Sequence, residues 1–247
     1  MSSTYGPPVS AILLDAGGVL IFPAPDLVLP PLQARGLSPD VTALERAHYR
    51  AMTAQDLART PPARDSWWHQ YLLSYVAACG AAEEGSDLLA TEIAQAVTGR
   101  SAWTHVGTGV MDGLRSVAAL GLPLGVVSNS DGSVAAELCR LGVCYAQDGA
   151  AREPPAGGVK VGVVVDSAVA GVAKPDPAIF GIALDALDLP ADGSVLHVGD
   201  SLRYDVAGAV AAGLQPVHMD PYGFCPAPDG HPHVSSLAGV AELARSA

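Results

Sequence analysis

Five short apolar runs, at 9–15, 123–128, 159–166, 195–200 and 215–220, are rich in β-branched residues and bounded by turn-forming ones, the pattern of buried strands. Apolar residues at helical spacing precede or follow them at 109–120, 132–141, 176–187, 202–212 and 236–244. Strands this uniformly apolar are buried on both faces, so the alternation predicts an α/β fold with a mostly parallel sheet flanked by helices. Residues 26–106 break the alternation and read as helices alone: 40–58 opens after Ser38-Pro39, 63–79 after Pro61-Pro62, and 85–98 stops at Gly99. Pro23-Ala24-Pro25 on one side and Gly107-Thr108-Gly109 on the other make short linkers, so this stretch is expected to be a helical domain inserted after the first strand. Trp67, Tyr71 and Tyr75 fall on one face of a helix and are assigned to its core. Residues 148–158 read as a mobile loop.

Polar groups collect where the strands end. The first run stops at Asp15, followed by Gly17-Gly18; the second at Ser128-Asn129; the fourth at Gly199-Asp200, with Asp205 five residues on. In open α/β sheets ligands bind beyond the carboxyl ends of the strands, so these groups are expected to share a site. Three carboxylates that close would raise one another's pKa unless a cation neutralised them, and a hard, oxygen-loving ion such as Mg²⁺ fits that need. Gly17-Gly18 allows a tight turn with its N–H groups available to an anion, Ser128 and Asn129 add neutral donors, and Lys174 is a positive charge held in place by Pro175 and Pro177, which begin a helix.

Composition narrows the partners. Thirteen Lys and Arg against 25 Asp and Glu give a net charge of −12, and only Lys160 and Lys174 are lysines. No basic stripe exists for nucleic acid or an anionic membrane surface. Mean hydropathy is +0.30, yet charges or turn residues cut every apolar run short of the ~20 residues a bilayer span requires. The first residues lack the basic start of a signal peptide, so a cytoplasmic location is expected. Cys79, Cys139, Cys144 and Cys225 form no CxxC pair and read as reduced; His231-Pro232-His233 reads as a loop, lacking an acidic or cysteine partner nearby in sequence. His197 is placed in a strand, and Arg203 and Tyr204 at the mouth of the site.

Taken together, Asp15-Ala16-Gly17-Gly18-Val19-Leu20, Val126-Val127-Ser128-Asn129, Lys174-Pro175-Asp176-Pro177 and Gly199-Asp200-Ser201-Leu202-Arg203-Tyr204-Asp205 resemble, in order, the four motifs of the haloacid dehalogenase (HAD) superfamily. The resemblance spans almost the whole chain. It implies a Rossmann-like core at 1–25 and 107–247 and a helical cap at 26–106. It further implies that Asp15 is a nucleophile forming an aspartyl-phosphate. Mg²⁺ would be held by Asp15, the Gly17 carbonyl, Asp200 and Asp205, while Gly18, Ser128, Asn129 and Lys174 would hold the phosphate of a small phosphorylated metabolite.

One position departs from the family. Its second aspartate, which protonates the leaving alcohol and later activates water, is Gly17 here. General acid–base catalysis contributes typically ~10²–10⁴-fold. A phosphatase with a substitute acid is the leading expectation, with His69, Arg64 and Glu45 of the cap as candidates. The alternatives are a non-catalytic relative that binds a phosphorylated ligand or partner, and a metal-free haloacid dehalogenase. Phosphonatase chemistry needs a cap lysine, and 26–106 contains none.

Overall fold

The computed structural model describes residues 8–58, 64–98, 101–146 and 156–246. Six parallel strands form the main sheet: β1 (Ala11–Leu14), β4 (Leu124–Ser128), β7 (Val163–Asp166), β8 (Val195–Gly199), β9 (Gln215–Met219) and β10 (His233–Val234), in the order β10-β9-β8-β1-β4-β7. Central β1 pairs with β8 and β4, and all four of its residues are fully buried. Its alternate side chains serve different layers. Ile12 and Leu14 join Leu114, Leu138 and Val240 on one face, while Ala11 and Leu13 join Ile179, Phe180 and Leu184 on the other. The first face is covered by α5 (Val110–Ala118), α6 (Val134–Arg140) and α10 (Leu237–Ser246), the second by α8 (Ala178–Leu187) and α9 (Ala207–Ala211). The expected parallel sheet with helices on both faces is what forms.

Between β1 and β4 the chain makes an antiparallel pair, β2 (Ile21–Pro23) with β3 (Trp103–Val106), that the apolar pattern does not reveal. Helices α1 (Pro25–Gln33), α2 (Val41–Leu57), α3 (Arg64–Ala78) and α4 (Ser86–Ala96) lie between these two strands. They share a core of their own that includes Leu44, Tyr71, Tyr75 and Ile93. The aromatic face thus packs inward as read, with Trp67 stacked on Tyr71 at 5.3 Å. α2 starts where expected because the Asp40 carboxylate accepts the Ala43 N–H, satisfying a donor of the first turn.

Three departures have local causes. The run at 159–166 is two strands in two sheets: β6 (Val159–Val161) pairs with β5 (Cys144–Ala146), and Gly162, whose N–H bonds to Leu124 O, turns the chain into β7. α1, a helix not among those expected within 26–106, starts at the last residue of the proline linker, because Pro25 sits at the helix start, where a missing N–H costs nothing. The helix expected at 202–212 begins as a π-helical turn, Leu202–Val206, before α9. A four-residue helix, α7 (Ser167–Ala170), follows β7. The loop expected at 148–158 falls mostly outside the described residues, and among the described residues no helix is long and apolar enough to cross a membrane.

Candidate active site

β8, β1 and β4 are adjacent, so the groups at their carboxyl ends meet. Asp15, Asp200 and Asp205 are all buried and offer carboxylate oxygens within 4.8 Å of one another. Lys174 Nζ lies 2.9 Å from Asp15 Oδ1 and 2.7 Å from Asp205 Oδ1, with its side chain almost fully enclosed. Burial alone would lower the lysine's pKa, but Asp15 and Asp205 hold it above its ordinary value. Burial would likewise raise Asp205; Lys174 and a 2.9 Å hydrogen bond from His197 Nε2 instead keep it well below the usual carboxylate range. Asp15 goes the other way. Burial, with repulsion from Asp205 and Asp200, pushes its carboxyl up to about 7 despite Lys174.

Asp15 is engaged through Oδ1 and Asp200 through Oδ2, which leaves the second oxygen of each carboxylate without a hydrogen bond among the described residues. Two hard oxygens facing a surplus of negative charge fit Mg²⁺. Asp205 is differently occupied: Oδ1 receives Lys174 and His197, and Oδ2 receives the Ser201 N–H. It faces the cation region as a supporting charge rather than a free ligand.

The loop after β1 forms the expected turn and uses one N–H of the expected anion cradle to close it. Gly18 has φ +69, and a Cβ there would overlap both Asp200 Oδ2 and His48 Nε2, so glycine is required twice over. The Gly18 N–H, assigned above to phosphate, is instead donated to Ile21 O at 3.0 Å to close the turn. Asn129 is also redirected. Its Nδ2 donates to Lys174 O at 3.0 Å and its Oδ1 accepts the Lys174 N–H at 2.8 Å, so it positions the lysine's backbone. Ser128, the last residue of β4, is buried and directly precedes Asn129.

The inserted helices reach into the site through residues not singled out in the sequence. His48 of α2 places Nε2 2.6 Å from Asp200 Oδ2 and Nδ1 2.9 Å from Tyr71 Oη. A carboxylate only accepts, so Nε2 carries the proton. Tyr49 donates to Gly18 O at 2.6 Å. The Trp103 ring covers Gly17, where a Cβ would come within 3.3 Å of Cζ3. Asp56, at the end of α2, accepts from Ser201 Oγ, the Leu202 N–H and the Arg203 N–H, and caps the π-helical turn.

Two of the three cap residues expected to replace the missing acid are engaged elsewhere. Glu45 accepts from Thr108 N–H, Thr108 Oγ1 and His105, bracing the return linker. His69 pairs with the exposed Asp87 at 2.9 Å, and the side chain of Arg64 lies outside the described residues. Arg203 donates to Ala58 O rather than facing the carboxylates. A cleft of about 330 Å³ is lined by Asp26, Leu27, Ser101, Thr104, Glu137 and Arg140, none of them a member of the carboxylate cluster.

A parallel sheet with a carboxylate, a buried lysine and two further aspartates at adjacent strand ends defines a hydrolase of the HAD type. Residues 9–213 match the haloacid dehalogenase-like hydrolase family, and the chain belongs to it. Over 150 residues it is 32% identical to haloacid dehalogenase-like hydrolase domain-containing protein 3 of Danio rerio; the match covers 60% of this chain and about half, 55%, of that relative's length. Among solved structures, YfnB from Bacillus subtilis bound to magnesium superposes with a TM-score of 0.61 at 16% identity, covering 96% of this chain and 99% of that one. A 2-haloacid dehalogenase from Pseudomonas syringae gives 0.54 at 22% identity (97% and 100% covered). A HAD phosphatase from Thermococcus onnurineus gives 0.54 at 17% (95% and 97% covered). These likenesses concern the fold.

Proposed function

We propose that the protein is a Mg²⁺-dependent phosphatase of small phosphorylated metabolites, in which 26–106 acts as a cap over the core. The observation that carries this reading is the set of three buried carboxylates with one free oxygen each on Asp15 and Asp200. When bound, the cation would screen Asp15 and withdraw charge from the phosphate, held by those two oxygens with the Gly17 carbonyl. Asp15 then attacks phosphorus, the bond from phosphorus to the leaving oxygen breaks, and an aspartyl-phosphate forms. Lys174 and the Ser128 hydroxyl balance the charge on the phosphate oxygens. His48, whose Nε2 proton sits beside Asp200, takes over the leaving-group protonation that glycine at 17 cannot provide. Water attacks phosphorus in turn and returns Asp15. In this reading the protein works in the cytoplasm and neither nucleic acid nor a membrane is its partner, in keeping with a net charge of −12.

The test compares p-nitrophenyl phosphate, whose leaving group needs little protonation, with an alkyl phosphate, each with and without Mg²⁺. Mg²⁺-dependent turnover of the first is expected, and its absence for both sinks the proposal. One observation favours a second reading. His48 already pairs with Asp200, which would let the site hold its charge without a metal and run carbon–halogen hydrolysis through Asp15. Turnover of a 2-haloacid that persists in chelator would establish it.

A further inference from the structure

His231 and His233, read above as part of a loop, have partners in space. β10 pairs with β9 so that His233 stands directly opposite His218. The connecting loop brings Cys225 and His231 to the same point, and one ligand atom from each of the four lies within 4.8 Å of the others. His231 Nε2 is 3.4 Å from His218 Nδ1 and 3.9 Å from Cys225 Sγ. A tetrahedron with metal–nitrogen arms of ~2.0–2.1 Å and a metal–sulfur arm of ~2.3 Å has edges of about 3.3–3.6 Å. The 3.4 Å nitrogen–nitrogen spacing falls in that range and the 3.9 Å nitrogen–sulfur spacing lies a few tenths of an ångström above it.

The outer contacts aim the rings. His218 Nε2 donates to Asp200 O at 3.1 Å, so its Nδ1 is the free face. His233 Nδ1 pairs with Asp220 Oδ2 at 3.4 Å, while its Nε2 is buried with no hydrogen-bond partner. Asp220 also accepts the Phe224 and Cys225 N–H groups, folding the loop that presents the thiol. Metal-ligating histidines characteristically turn their second nitrogen to a carboxylate or carbonyl in this way.

We infer that His218 Nδ1, Cys225 Sγ, His231 Nε2 and His233 Nε2 bind Zn²⁺. An N₃S donor set at tetrahedral spacing selects a borderline ion over Mg²⁺, which takes oxygen. Four protein ligands leave no open position, so the site is structural. It pins the loop bearing Tyr222 and Phe224, on which Tyr49 and Arg50 of α2 pack, and it fixes the His218 proton donated to the Asp200 backbone. The inference stands independently of the reaction proposed above.

The experiment is elemental analysis of the purified full chain, followed by Zn²⁺ and Co²⁺ titration of chelator-treated protein. One equivalent of Zn²⁺ per chain is expected, and Co²⁺ is expected to give the thiolate charge-transfer band and the intense visible bands of tetrahedral coordination. Cys225→Ser abolishes the charge-transfer band. Asp220→Asn, which keeps all four ligands, weakens Zn²⁺ binding by ~10–100-fold. Asp15→Asn leaves Zn²⁺ binding unchanged, separating this site from the carboxylate cluster. Wild-type protein that takes up neither metal at one equivalent, or a charge-transfer band that survives in Cys225→Ser, overturns the inference.

Discussion

Restoring the family's second aspartate is the most informative change to the chain, because the structure gives it an unusual outcome. Position 17 lies beneath the Trp103 indole, where an added Cβ would sit 3.3, 3.6 and 3.7 Å from three ring carbons. The contact at 3.3 Å is already tight before a carboxylate extends beyond it. Gly17→Asp therefore overpacks this contact, at a cost of about 1–3 kcal/mol. It also adds a fourth carboxylate beside Asp15, Asp200 and Asp205. For a chain of this size that corresponds to a fall in melting temperature of roughly 2–4 °C per kcal/mol. Turnover of alkyl phosphates should fall as well, although the residue restored is an acid. Trp103→Ala opens the space, so the double variant is expected to be more stable than the sum of the two single losses by about 0.5–3 kcal/mol. If the new acid then reaches the leaving group, turnover of alkyl phosphates should rise by up to ~10²-fold or more over Trp103→Ala alone. Urea unfolding of the four proteins measures the coupling, and kcat/KM on p-nitrophenyl and alkyl phosphates measures the chemistry. A single Gly17→Asp protein that is as stable as the parent and faster on alkyl phosphates would refute the claim that Trp103 fills the place of the missing side chain.

Three further outcomes follow from the same contacts. Lys174→Met keeps the volume but leaves Asp15 and Asp205 facing each other without their shared cation, so urea unfolding should show a loss of about 3–5 kcal/mol, partly recovered by Mg²⁺. Asp56→Ala uncaps the π-helical turn and frees the end of α2, with an expected cost of about 1–2 kcal/mol and faster hydrogen exchange at 201–206. The Asp15 carboxyl, raised to about 7, contributes stability to the metal-free protein at low pH that is lost as pH rises through that value. Protons and Mg²⁺ compete for it, so Mg²⁺ affinity read from thermal shifts should drop up to ~10-fold per pH unit below about 7.

The core was legible because its signals are local. Apolar runs with β-branched residues marked the strands, and Asp15, Ser128 and Asp200 sit at or directly after a strand end. Lys174 could be placed because its prolines fix a helix start. The strand at 159–166 was misjudged because a single glycine shifts the chain between sheets without breaking its apolar pattern. What the inserted helices contribute was not legible. His48 meets Asp200 across 152 positions and Asp56 meets Ser201 across 145, and no short-range pattern encodes either closure. A weak signal was present for His48. It lies with Leu44, Ala51, Met52 and Gln55 on the buried face of α2, and a polar residue on such a face needs a partner. The histidine and cysteine cluster was hidden likewise, since the β9–β10 register, rather than sequence spacing, brings His218 to His233.

The central claim is that Asp15 transfers a phosphoryl group with Mg²⁺ rather than displacing a halide without it. Turnover in ¹⁸O-labelled water, followed by mass analysis of both products and the peptide containing Asp15, separates the two. In the phosphatase, water attacks phosphorus, so the label should appear in inorganic phosphate, only when Mg²⁺ is present, and never in Asp15. In a dehalogenase, water attacks the ester carbonyl, and ¹⁸O found in the Asp15 carboxylate in the absence of Mg²⁺ would contradict the account.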